Sequence, residues 1–69
     1  MEIIKLREEY IKLGQALKAA NLVEDGVEGK FAILDGEVKV NQETETRRGR
    51  KLYDGDVISY NGEEIRIEK

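Results

Sequence analysis

The hydrophobic period of this chain changes once, at Gly36, and no other feature narrows the fold as much. Before it, Leu13, Ala16, Leu17 and Ala20 recur at helical spacing. After it, Val38 and Val40 alternate with Glu37 and Lys39, so that Lys39 faces away from the valines. A chain patterned in this way is expected to fold as α+β, with two short helices packed on a small, mainly antiparallel sheet. Its 69 residues include no cysteine, so neither a disulfide nor a thiolate metal site can staple so small a unit. The core must come from aliphatic side chains, and one domain over residues 1–69 is expected.

Glu2 to Leu6 is short, apolar and β-branched, and reads as a strand. Glu8 and Glu9 suit the first turn of a helix, which places helix one at about residues 8 to 20. Asn21 and Leu22 then suit a left-handed cap with its hydrophobic contact. Asp25 and Glu28 are spaced as an N-cap and its N3 partner. Val27, Phe31 and Leu34 follow at i, i+4 and i+7, predicting a second helix with Phe31 in the core and an end at Gly36. Gly29 within it reads as a point of close backbone approach. In the second half, Asn41-Gln42 and Asp54-Gly55-Asp56 mark turns, and Thr44 and Thr46 continue an extended segment. Asn61-Gly62 is a two-residue hairpin signal that pairs Tyr60 with Glu63 and Ile58 with Ile65. Ile58, Tyr60, Ile65 and Ile67 then share one face.

The net charge is −3, which by itself argues against a nucleic-acid partner. Its distribution argues otherwise. Arg47, Arg48, Arg50 and Lys51 hold four of the twelve basic residues within five positions. Without them, the remaining eight basic and fifteen acidic residues carry −7. A patch opposite in sign to its surroundings acts locally, because salt screens charge over about 8 Å. Arginine suits phosphate through its planar fork of donors, and Gly49 lets the backbone bend so that the side chains fan out. Lys12, Lys18 and Lys30 lie beside the apolar stripes of the two helices, as a second positive wall or as the polar faces of amphipathic helices. The four aromatics are too scattered in sequence for a stacking platform. Tyr53, beside the basic cluster, is the one suited to base or ribose contact.

Catalysis finds little support. There is no histidine or cysteine, hence no general base with an unperturbed pKa near neutrality and no soft nucleophile. Phosphate-binding glycine loops with the Walker spacing are lacking, and Asp54 and Asp56 stand without the other ligands of a calcium loop. With 39% charged residues, most carboxylates are expected to be solubilising. No cofactor is implied, and no apolar run approaches the roughly 20 residues of a membrane span. No leader peptide is expected before MEIIKLREEY, and a cytoplasmic location fits the lack of cysteine.

The order of these features resembles the S-four-type RNA-binding domain, also called the αL motif, over roughly residues 11 to 60. The resemblance is carried by Lys12-Leu13 with Leu17, Glu28 and Lys30, Ile33 with Gly36-Glu37-Val38-Lys39-Val40-Asn41, and Gly55-Asp56-Val57-Ile58. Glu43 to Tyr53 is similar to the small stand-alone bacterial members. The family packs two helices on a small curved sheet and binds structured RNA, commonly ribosomal or transfer RNA. The resemblance implies an RNA binder, working on RNA or on a ribosome or its precursor, with Lys12 and Lys30 at the family's basic helix positions; a non-enzymatic monomer is expected. Two departures stand out: Asp25-Gly26 replaces the frequent Ser-Arg that opens helix two, and Gln42 replaces the glycine that usually follows Val-Asn. The missing arginine and the acidic total favour an alternative, an interaction module whose basic loop docks on an acidic protein. Duplex DNA is a weaker third reading, because neither helix carries a row of base-reading side chains.

Overall fold

The hairpin centred on Asn61-Gly62 organises the sheet. Both residues have positive φ, 52° and 81°, the pairing that matches a two-residue turn to the twist of its strands. The computed structural model describes residues 2–69. In chain order it has β1 (Glu2–Lys5), β2 (Ile11–Lys12), α1 (Leu13–Ala19), α2 (Gly26–Leu34), β3 (Val38–Val40), β4 (Glu43–Thr44), β5 (Lys51–Leu52), β6 (Val57–Tyr60) and β7 (Glu63–Glu68). Five strands form a sheet in the order β1-β7-β6-β3-β4, and β2 and β5 form a separate ribbon. The expected register is found: Tyr60 pairs with Glu63 and Ile58 with Ile65. β1 is the one parallel member, running beside β7, so the sheet is mixed but mainly antiparallel.

The inner face of the sheet carries Val38, Val40, Ile58, Ile65 and Ile67, all buried. It meets Leu13, Ala16, Leu17 and Ala20 from the first helical segment, with Val23, Ala32, Ile33 and Leu52 completing the core. Each of the larger aliphatic side chains contributes about 1.5–3 kcal/mol when fully buried. Helix α1 ends as the sequence suggests. Asn21 takes φ 62°, its N–H donates to Lys18 O, and Leu22 N–H donates to Leu17 O, both at 3.0 Å. These bonds satisfy carbonyls that the helix itself leaves open. Asp25 caps α2 by accepting from Glu28 N–H at 2.9 Å.

Three expectations are corrected. Helix one does not begin at Glu8: residues 11–12 are extended and pair with 51–52, and the helix starts at Leu13. The pull of the dipole is worth only about 0.3–1 kcal/mol for each of the two exposed glutamates, less than a second ribbon strand that also buries Leu52. Secondly, Val27, Phe31 and Leu34 do not face the core. They are 63%, 57% and 54% exposed, and the buried face of α2 is Gly29, Ala32 and Ile33. The small residues let this helix lie close to its neighbours. Thirdly, Gly29 makes room for a side chain rather than a backbone, since a Cβ there would meet Val23 Cγ2 at 3.4 Å. Among the described residues, no helix is long and apolar enough to cross a membrane.

Candidate nucleic-acid interface

The start of α1 has open N–H donors, and the basic loop is where they are satisfied. Leu13 N–H donates to Arg50 O at 2.9 Å, and Gly14 N–H donates to Arg48 O at 3.0 Å. These bonds strap residues 48–50 across the helix N-terminus, and Gly14 has no side chain to hold the loop away. The strap forms one wall of a groove of about 580 Å³ whose other walls are the two helices. Lys12, Lys18, Lys30 and Arg48 line it, with Gly14, Ala19, Gly26 and Gly49 as a low floor between them. All four cations are exposed, and none takes part in a salt bridge among the described residues. The described lining holds no acidic side chain. Gly26 leaves one end of the groove as bare backbone.

Arg47 and Arg50 are placed differently. Glu45, only 6% exposed, accepts from both nitrogens of the Arg47 fork, Nε and Nη2, at 3.0 Å, and from Arg50 Nη1 at 2.9 Å. Its Oε2 also accepts the backbone N–H groups of Thr46 and Arg47, each at 3.0 Å. The guanidinium of Arg47 is the main reason that the Glu45 carboxyl titrates near pH 2 instead of its ordinary 4.5; burial opposes the shift, and Arg50 assists it. In return, Glu45 holds the Arg47 guanidinium still more firmly protonated. One carboxylate therefore neutralises half of this pair and fixes the loop. Glu45 stands outside the basic run, and its only signal in the sequence is its place two residues before Arg47 and five before Arg50.

Lys51 and Tyr53 lie on the ribbon. Lys12 pairs with Lys51 and Ile11 with Leu52, so alternation puts the lysines on the outer face and the apolar pair towards the core. Tyr10 and Tyr53 continue that outer face, with ring centroids 6.1 Å apart. The Lys51 ammonium lies 4.8 Å from the centre of the Tyr10 ring. The scatter of aromatics along the sequence hid this meeting, which needs the pairing of β2 with β5. Asp54 and Asp56 are engaged in turn bonds: Asp54 accepts from Lys69 N–H, and Asp56 from Tyr53 N–H and the Asn41 amide.

Comparison with known proteins agrees with this architecture. A family model described as the S4 domain matches residues 4–68. "Probable ribosome maturation protein RlbA" of Bacillus subtilis is 46% identical over 59 residues, which cover 86% of this chain and 83% of that protein. "Putative RNA-binding protein YbcJ" of Escherichia coli is 33% identical over 58 residues, covering 84% and 83%. The solution structure of YbcJ, described as revealing an αL motif involved in RNA binding, superposes with a TM-score of 0.77. That match has 30% identity and covers all of this chain and 89% of the other.

Proposed function

The chain belongs to the S4 domain family, and from that premise we propose that it binds structured RNA without catalysing a reaction on it. The observation that carries this reading is the convergence of Lys12, Lys18, Lys30 and Arg48 on one groove. They come from β2, two helices and a loop, so the fold brings together charges that the sequence scatters. A groove walled by cations and floored by glycine and alanine, with Gln15 as its one neutral polar side chain, admits a phosphate backbone closely, so recognition is mainly by shape, charge and 2′-hydroxyls. Arg47, Arg50 and Lys51 flank it and add to the field. The names of the two relatives support RNA as the partner, and ribosome maturation points to ribosomal RNA or a precursor particle rather than transfer RNA. The protein acts as a monomer in the cytoplasm on this reading.

Competition tests it. A labelled hairpin of ribosomal RNA is bound to the protein and challenged with unlabelled hairpin, equal-length duplex DNA or polyglutamate. RNA should displace the probe at several-fold lower concentration than either other polyanion. Equal displacement by polyglutamate would instead support docking on an acidic protein.

A further inference from the structure

We propose that the outer face of the β2–β5 ribbon holds one unpaired nucleotide beside the groove, with the Tyr53 ring as its stacking surface. This rests on the groove being an RNA site and adds the kind of RNA it selects: a helix interrupted by a bulge or ending in a single strand. The ribbon register places Tyr10, Lys12, Lys51 and Tyr53 on one outward face. Lys12 belongs to this face and to the groove at once, so a backbone leaving the groove past Lys12 arrives at the tyrosines.

Each member of the quartet has a distinct role. Tyr53 is 45% exposed, on a ribbon whose neighbouring residue, Leu52, is fully buried, so its ring stands on a fixed base. The rings of Tyr10 and Tyr53 are tilted by 53° with centroids 6.1 Å apart. That is too close and too oblique to admit a base between them, so the base stacks on the open side of Tyr53. Tyr10 buttresses Tyr53 from the other side. Lys51, whose ammonium lies 4.8 Å from the centre of the Tyr10 ring, supplies a cation beside the ring pair for the phosphate of the stacked nucleotide. A stacking ring bordered by lysine accepts any base, because every base has a π face.

The test uses two RNA hairpins that are identical except that one carries a single extra, bulged 2-aminopurine and the other is fully paired. Wild type should bind the bulged hairpin about tenfold more tightly, as expected for one stacked base, and should quench 2-aminopurine fluorescence. Tyr53→Ala should abolish both the preference and the quenching while leaving affinity for the paired hairpin within about twofold. Tyr53→Phe should retain both, and matched far-ultraviolet circular dichroism establishes that the variants are folded. Equal affinity for the two hairpins, or a preference that survives Tyr53→Ala, overturns the stacking site and leaves the groove standing. Failure of wild type to bind either hairpin at low salt overturns the groove and this inference together.

Discussion

Replacing Glu45 by glutamine keeps the side chain's shape and removes the charge on which the loop is built. In the folded protein this carboxyl titrates near 2, against an ordinary 4.5. A depressed folded pKa contributes stability that is fully present above the unfolded value and is lost as pH falls from about 4.5 towards 2. The full difference would correspond to roughly 3 kcal/mol. The Arg47 side chain is largely exposed, and solvent screening reduces the expected contribution of Glu45 to about 1–2 kcal/mol. Urea unfolding, followed at pH 7, 4.5 and 2.5, measures this directly. Glu45→Gln should be less stable by about that amount at pH 7, and the difference from wild type should shrink as the pH approaches 2.5. A variant as stable as wild type at pH 7, with the same loss on acidification, would refute the claim that Glu45 anchors the loop.

Other outcomes follow from individual residues. Gln42 has φ 72° and Asn41 φ 52°, and left-handed backbone is unfavourable for side chains larger than those of Gly, Asn or Asp. Gln42→Gly should therefore raise stability by about 0.5–1 kcal/mol in urea unfolding. Asn41→Ala should lower it by about 1–2 kcal/mol, because the side chain donates to Asp56 at 3.0 Å and accepts from Val57 N–H at 2.9 Å. On α2, Phe31→Ser should change the melting free energy by less than about 0.5 kcal/mol, whereas Ile33→Ala should cost about 3 kcal/mol. The reverse ranking would show that the helix presents its other face to the core.

What could be read in the sequence was the local part of the fold. Asn61-Gly62 set a turn and, through it, the pairing of Ile58 with Ile65; Asp25 and Asn21 marked helix ends by their own hydrogen-bonding chemistry. The start of α1 and the buried face of α2 depend instead on long-range contacts. Ile11 and Lys12 are extended because they pair with Leu52 and Lys51, 41 and 39 residues away, and nothing near Glu8 announces it. On α2 both faces had helical period: Val27, Phe31 and Leu34 were the more hydrophobic choice, yet Ala32 and Ile33 pack inward beside Gly29 because small residues permit closer approach. The candidate site divides in the same way. Arginine and lysine positions were visible, but their division between a groove and the Glu45 anchor depends on how the loop straps the start of α1.

The central claim is that Lys12, Lys18, Lys30 and Arg48 form the phosphate site. Fluorescence anisotropy with a ribosomal RNA hairpin across a salt series tests it most directly. Four displaced counterions predict a slope of log K against log salt of about −3 to −4. The variant with Lys12, Lys30 and Arg48 changed to alanine should flatten to about −1, while one with Arg47 and Arg50 changed to alanine should keep most of the wild-type slope. A steep slope in the groove variant, with flattening in the Arg47 and Arg50 variant, would contradict the account and move the phosphate site to the loop.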